Sequence, residues 1–401
     1  MNASDTALVH RPDLASGRLR ARLGDLGPMP DPASVILVRA PGRVNLIGEH
    51  TDYNLGYVLP AAIDLEVRIA FVPARDRQVE LVSDATGERA CFNLDAIGPS
   101  AGGMVAYVAG TAWALTEAGI PTRGVRGVLA STLPRASGLS SSAALELAAA
   151  WALAEDPAAI APLDLARICQ RAENQYVGVN CGLMDQFASA CGMAGGSMLL
   201  DCRSLEWRMV ALPLASHTLV VIHTGSTRSL SSSDYNARRA QCEAAAAVLA
   251  RDDPAIRSLR DVTRAMLPLV RDRVDEVTYR RCRHVVTENV RVEETVAALA
   301  KGDMTAVGGL FAASHASLRD DFEVVSPELD ALVEIAASVP GVAAARMTGA
   351  GFGGCTINLV ERGAVAELCE EVKAVYPGRT GLTPRVYVVD AVAGAGFVPG
   401  G

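Results

Sequence analysis

Arg43, Asn45, Glu49, His50, Asp52 and Asn54 fall within twelve consecutive residues. Glu49 and Asp52 offer carboxylate oxygens, acceptors suited to a polyhydroxylated ligand. Arg43 offers a planar donor fork suited to a carboxylate or a phosphate. Val44, Leu46 and Ile47 are interleaved, so the stretch must also touch a core. A strand, a turn and a solvated charge cluster would show the same residue types, and on types alone the two readings weigh about equally.

Two further carboxylates stand out. Glu173 comes near the C-terminal end of a helical stretch, where a negative charge opposes the macrodipole. A solvated Glu is the plain reading there. Asp185 sits in Gly182-Leu-Met-Asp-Gln-Phe-Ala-Ser189, among apolar neighbours. A carboxylate in such a setting is expensive unless paired, and Arg43 is the candidate partner. Between these stretches lies Pro134-Arg-Ala-Ser-Gly-Leu-Ser-Ser-Ser-Ala-Ala-Leu-Glu-Leu-Ala148, a small-residue loop running into an Ala/Leu-rich helix. One serine could simply cap that helix. Three in a row after Ser137-Gly138 exceed what a cap requires. Small residues let a phosphate approach the backbone, the helix start supplies amides, and hydroxyls can ligate Mg²⁺. No Gly-Lys-Ser/Thr follows, so this is not a Walker A loop.

These groups need elements to hold them. Val35-Ile-Leu-Val38 reads as a strand, after which Pro41-Gly42 should break the ladder and turn the chain. Residues 67–72 and 78–82 read as strands, with Arg75-Asp76-Arg77 as the hairpin between them. Residues 104–118 have helical spacing and stop at Gly119; residues 127–133 read as a strand. Residues 163–176 form a second helix, and 197–201 and 218–223 read as strands, with a lobe change near 205–216. A polar loop at 224–236 carries Tyr235, and 237–335 read as several helices in which His315 is structural. Residues 342–360 read as strand, Gly-rich loop, strand, and 387–390 as the last strand. A short amphipathic helix is expected within 14–26.

The chain of 401 residues is long enough for two domains, and its net charge of −8 argues against a nucleic acid or an anionic membrane as the main partner. That charge does not exclude a small anionic ligand held by local amides and a metal. The nine Cys form no C-x-x-C pair and read as free thiols in a reducing compartment. The six His show no H-E-x-x-H spacing. No apolar run reaches membrane length, and Met1-Asn-Ala-Ser-Asp does not begin a secretory signal, so a cytoplasmic location is expected.

Ala40-Pro-Gly-Arg-Val-Asn-Leu-Ile-Gly-Glu-His-Thr-Asp-Tyr-Asn54 resembles the signature segment of the galactokinases, members of the GHMP superfamily of small-molecule kinases. Gly138-Leu-Ser-Ser-Ser-Ala143 resembles the superfamily's phosphate-binding loop, with Ser137 where galactokinases often carry Gly. The stretch from Gly182 to Ser189 resembles the one bearing the family's catalytic Asp. Met347-Thr-Gly-Ala-Gly-Phe-Gly-Gly-Cys355 resembles the third GHMP motif, which packs beside the active site.

This resemblance spans nearly the whole chain. It implies an α+β, two-lobed GHMP kinase fold with the active site in the cleft, the lobes being residues 1–210 and 211–401. It implies phosphoryl transfer from ATP, with Mg²⁺, to the anomeric 1-OH of galactose. Asp185 would be the base, with Arg43 orienting it and stabilising developing charge. Glu49, His50, Thr51, Asp52, Gly182 and Tyr235 would hold the sugar. Ala136, Ser137, Gly138, Leu139, Ser140, Ser141 and Ser142 would hold the ATP phosphates, and Ser142 and Glu173 the metal. The expected partners are the sugar and ATP, with no nucleic acid and no membrane, on a monomer or weak homo-oligomer. Three alternatives stay open: a kinase for a related sugar such as N-acetylgalactosamine, a non-catalytic galactose- and ATP-binding regulator, and a scaffold. Intact Arg43, Asp185 and Gly138-Leu-Ser-Ser-Ser-Ala143 speak against the regulator.

Overall fold

Strand Ile36–Asn45 carries the first site residues and is buried along most of its length. It runs antiparallel to Pro60–Ala74, and its register slips between Pro41 and Gly42. Pro41-Gly42 therefore does not end the strand. A bulge absorbs the proline's missing N–H, and pairing resumes with Gly42 opposite Ile63. Gly42 also lets another segment lie against the strand, since a Cβ there would come 2.7 Å from the carbonyl oxygen of Leu139. The computed structural model that shows this describes residues 14, 16–28, 30–99, 102–134, 137–226 and 232–398.

The first sheet has six strands, in the order Gly396–Phe397, Ile36–Asn45, Pro60–Ala74, Gly124–Ser131, Gln78–Ser83, Arg89–Asn93. The hairpin expected at 75–77 is absent. Gly124–Ser131 enters between its two arms, antiparallel to Pro60–Ala74 and parallel to Gln78–Ser83. Glycines make the insertion possible: a Cβ on Gly124 would sit 2.7 Å from the Gln78 carbonyl oxygen, and one on Gly127 2.8 Å from that of Ala70. Helices Gly103–Glu117, Ser141–Leu153 and Met184–Cys191 pack onto this sheet, and Pro162–Arg171 packs against those helices.

A second sheet of four antiparallel strands runs Val342–Thr348, Cys355–Glu361, His217–His223, Arg385–Val389. Alternation along His217–His223 serves two cores. Leu219 and Val221 join the large core shared with the first sheet. Val220 and Ile222 face a separate core with helices Pro327–Ser338 and Val365–Thr380. Three strands, Tyr57–Val58, Gly196–Asp201 and Trp207–Ala211, form a third, small sheet. The strand at 207–211 lies in the stretch read from sequence as a lobe change. Arg385–Val389 is not the last strand, because Gly396–Phe397 returns to pair with Ile36–Asn45.

The helical region contains Ser232–Leu249, Leu267–Arg271, Glu276–Lys301, Met304–Asp320 and Pro327–Ser338. Asp275, Asp303 and Ser326 cap the starts of the last three through their side chains. The fold is α+β. Among the described residues no helix is long and apolar enough to cross a membrane.

Candidate active site

A cleft of about 400 Å³ brings together Arg43, Glu49, His50, Asp52, Glu173, Gly182, Asp185 and Tyr235. At its centre Arg43 donates to Asp185 Oδ1 twice, from Nε at 2.8 Å and from Nη2 at 2.7 Å. Both bonds end on one oxygen, which leaves Oδ2 for another donor. Asp185 lies in the first turn of Met184–Cys191 and its side chain is 27% exposed, against 4% for Arg43. Arg43 also donates from Nη1 to the Gly138 carbonyl, and its backbone N–H reaches the Leu139 carbonyl at 3.2 Å. One guanidinium thus ties the carboxylate to the serine loop.

On one side of this pair, residues 49–52 are tightly bonded. Glu49 Oε1 accepts from the Gly349 N–H at 2.8 Å, and Oε2 from Asn45 Nδ2 at 2.8 Å and Arg346 Nη1 at 2.7 Å. Burial pushes the Glu49 carboxyl up, and Arg346 and the Gly349 amide oppose that. Burial pushes His50 down to about 3, so its ring is neutral. Nε2 lies 3.1 Å from the Ala350 carbonyl and must carry the proton; Nδ1 then accepts from the Tyr53 hydroxyl at 2.9 Å. Thr51 does not line the cleft. It is buried, and its hydroxyl contacts the carbonyls of Gly48 at 2.8 Å and Tyr57 at 2.6 Å, bracing the turn.

Asp52 is held up at about 6, first by burial and then by the charge of Asp185. Gly182 packs against it so closely that a Cβ would fall 1.9 Å from Asp52 Oδ2. Tyr235 sits on helix Ser232–Leu249, not on the loop the sequence predicts, with its ring 5.7 Å from that of His50. His315 stays outside the cleft, contacting Asp330 at 3.1 Å and the Met347 N–H at 3.3 Å.

On the other side lies the serine loop. Ala136 is outside the described residues. The Ser137 hydroxyl donates to the Pro134 carbonyl at 2.8 Å. Gly138 and Ser140 adopt left-handed backbone, at φ of 69° and 59°. Ser140 takes the N-cap position of helix Ser141–Leu153 but makes no capping bond, and its buried Oγ has no partner. The simple cap reading therefore fails. A Cβ on Gly349 would lie 2.7 Å from the Gly138 carbonyl oxygen, and one on Gly354 2.9 Å from that of Ser137. The Gly-rich third motif thus packs directly under the loop.

Glu173 is not a solvated helix end. The α-helix passes into a π-helical segment, Ala172–Val177, that leaves it 5% exposed. Glu173 Oε2 accepts from Gln186 Nε2 at 2.6 Å and from Cys181 Sγ at 3.2 Å, and the neighbouring Ser142 hydroxyl also favours the charged carboxylate. Burial raises Glu173 to about 6 against those bonds. The second N–H of Gln186 reaches the fully buried Glu146 at 3.0 Å. Gln186 and Glu146 escape the sequence reading. The available signals are one residue's distance from Asp185 and, for Glu146, a charge among Ala and Leu.

Among the described residues no group of three or more His, Cys, Asp or Glu could hold a metal by itself. Ser142 and Glu173 supply one hydroxyl and one carboxylate. That set fits Mg²⁺ together with phosphate oxygens and water, the usual way Mg²⁺ is shared with a nucleotide. A second cleft of about 550 Å³ adjoins, lined by Ser83, Met104, Leu129, Ser131, Leu145, Ser141 and Ser142 among others. Tyr107 lines both clefts, so they meet beside the serine loop. Neither Tyr107 nor this second cleft is anticipated from sequence.

Comparison with known proteins agrees with this geometry. Residues 30–73 match the model of the galactokinase galactose-binding signature. Residues 106–193 match the GHMP kinases N-terminal domain, and 295–378 the GHMP kinases C-terminal model. A galactokinase of Roseiflexus sp. (strain RS-1) is 44% identical over 364 residues, 90% of this chain and 93% of that one. The crystal structure of Lactococcus lactis galactokinase complexed with galactose superposes with a TM-score of 0.89 at 36% identity, covering 95% of this chain and 99% of that one. The mevalonate kinase of Methanococcus jannaschii shares the fold, with a TM-score of 0.61 at 17% identity over 90% of this chain and all (100%) of that one.

Proposed function

Because the chain belongs to the galactokinase family, we propose that it transfers the terminal phosphoryl group of ATP to the anomeric 1-OH of galactose, with Asp185 and Arg43 at the point of transfer. The observation that carries this reading is the position of the pair. Asp185 is bonded through Oδ1 to an arginine that also holds the serine loop. The carboxylate thus stands between the groups suited to a sugar and those suited to phosphates.

Glu49, His50, Asp52, Gly182 and Tyr235 bind and orient the sugar so that its 1-OH meets Asp185. Oδ2 of Asp185 takes the hydroxyl proton, while Arg43 keeps Oδ1 occupied and the carboxylate aimed. The same guanidinium stabilises charge that builds on the transferred group. The Ser137–Ser142 loop, the unpartnered Ser140 hydroxyl and the start of helix Ser141–Leu153 meet the phosphates. The second cleft takes the nucleoside. Ser142 and Glu173 would hold Mg²⁺, which would supply charge neutralisation on the phosphates. Such transfer depends on placement and charge more than on covalent chemistry.

We place the lobe boundary near residue 210, ahead of strand His217–His223. All nine cysteines are free thiols, which fits a reducing cytoplasm. The test is ADP release across free sugars and mevalonate. Turnover with galactose well above N-acetylgalactosamine and mevalonate is expected. Galactose-independent ADP release, or none with any sugar, would overturn the reading.

A further inference from the structure

Arg346 is completely buried in strand Val342–Thr348, between Ala345 and Met347. A guanidinium in such a place is costly unless its donors are used. Its Nη1 reaches across to the signature stretch: to the Leu46 carbonyl at 2.9 Å, the Asn45 carbonyl at 3.4 Å and Glu49 Oε2 at 2.7 Å. Its Nη2 lies 3.9 Å from Glu288. Glu288 is on helix Glu276–Lys301 and accepts the Gly48 N–H at 3.0 Å. One turn earlier on that helix, His284 Nε2 reaches the Glu49 carbonyl at 3.1 Å. Glu288 is held in turn by Ser314 at 2.6 Å and Arg291 at 2.7 Å. Residues 46–49 are thus fastened from behind by groups three hundred or fewer positions later in the chain.

The consequence falls on Glu49, which is both a cleft residue and the end of this network. Each carboxylate oxygen has about two lone-pair directions. On Oε2 both are taken, by Asn45 and Arg346. On Oε1 one is taken, by the Gly349 amide. A single acceptor direction remains.

We propose that Arg346 is a positioning residue for sugar recognition: together with Asn45 it fills Glu49 Oε2 and so restricts Glu49 to one acceptor, on Oε1, for one ligand hydroxyl. The proposal rests on the reading above that the sugar occupies this cleft. Lys at 346 keeps the charge, but its ammonium ends one atom short of Nη1, the single nitrogen that serves both carbonyls and the carboxylate, while Nε and Nη2 have no hydrogen-bond partner.

The experiment compares kcat/KM for galactose with that for its 2-, 3-, 4- and 6-deoxy forms. In the wild type one deoxy sugar is penalised through Glu49, and Glu49→Ala identifies it by abolishing that penalty. Arg346→Lys is then expected to shrink the same penalty about tenfold, the size of one misdirected hydrogen bond. The other deoxy ratios and the KM for ATP should hold. A general loss of stability would not select one hydroxyl. If Arg346→Lys does not fold, Arg346→Met is made in the Glu49→Gln background, where position 49 holds no unpaired carboxylate. Selectivity equal to that of Glu49→Gln supports the proposal, because Arg346 acts through Glu49, and a further loss of selectivity overturns it. A Glu49→Ala effect with an unmoved Arg346→Lys profile overturns this inference alone. An unchanged profile in Glu49→Ala overturns both it and the sugar site.

Discussion

At one end of the cleft Glu49 and His50 already have protein partners, three donors on one carboxylate and both ring nitrogens engaged, and behind them the Thr51 hydroxyl lies between two carbonyls. At the other end Ser140 Oγ, Glu146 Oε1 and Gln186 Oε1 are buried with none. A buried polar atom without a partner costs about 1–3 kcal/mol. Beside the serine loop the fold bears that cost; Glu49 and His50 themselves avoid it, and behind them it falls on Nε and Nη2 of Arg346. Rigid, presatisfied groups suit a neutral sugar, whose isomers differ only in the direction of a hydroxyl. Of these atoms only the Ser140 hydroxyl, at a helix start, can donate, and an unspent donor there suits a phosphate, whose charge supplies the compensating energy.

The largest effect should come where the two ends meet. Asp185→Asn and Arg43→Lys are each expected to lower kcat by at least ~10²-fold, the lower end of what a positioned acid–base group contributes. Because Arg43 bonds Asp185 and the loop together, the double variant should be far less impaired than the product of the single effects. Steady-state kinetics on all four proteins decide this. Strictly multiplicative losses would mean that the two residues act separately, and near-normal turnover in Asp185→Asn would remove it as base.

Substitutions at either end should then separate. Gly182→Ala places a methyl 1.9 Å from Asp52 Oδ2, so that carboxylate has to move. The galactose KM should rise roughly ten- to hundredfold, with the ATP KM little changed, as the loss of one or two hydroxyl contacts implies. Glu173→Gln keeps the shape and removes the charge next to Ser142. Activity should fall several-fold and recover in part at high Mg²⁺, with the galactose KM steady. A Mg²⁺ titration identical to wild type would leave Glu173 with only its packing role. If each variant disturbed both substrates equally, the division of the cleft would be wrong.

Much of this arrangement is legible in the chain, for physical reasons that also mark where reading stops. Asp185 amid apolar residues calls for a cation and Arg43 is the candidate the sequence offers; the two do meet, although the carboxylate stays 27% exposed on the cleft. Helix Gly103–Glu117 ends where Gly119 follows, and Val342–Thr348 and Cys355–Glu361 pair across a Gly-rich loop as their pattern predicts. The hairpin at 75–77 fails because periodicity identifies strands without naming their neighbours. Gly124 and Gly127, read as clearance for a close approach, would have hinted at the insertion. Glu173 is misread because the macrodipole rule assumes that a helix end meets water, and here a π turn keeps the chain inside. Arg346, His284 and Glu288 escape because the signature stretch they hold lies hundreds of residues away, and because His284 and Glu288, in a helix pattern, read as a solvated face.

The smallest effect concerns Asp52, the exception at the presatisfied end. Burial first and the charge of Asp185 second raise its pKa, outweighing the backbone amides of Tyr53 and Met184 and, more weakly, Arg43, and hold it at about 6 against an ordinary 3.8. Between those values the folded protein keeps a proton that the unfolded chain has released. Proton linkage then makes stability fall as pH rises through that window. The penalty is absent below the ordinary value, where both states are protonated, and complete above about 6, where neither is. For a group still partly in contact with solvent it is on the order of 1 kcal/mol. Asp52→Asn removes the titration, so its melting temperature relative to wild type should climb from pH 4 to pH 6 and level off beyond. Melting curves of both ligand-free proteins between pH 4 and pH 8 measure this directly. A difference that stays flat across the window would place Asp52 at an ordinary carboxylate value, and with it among the presatisfied groups.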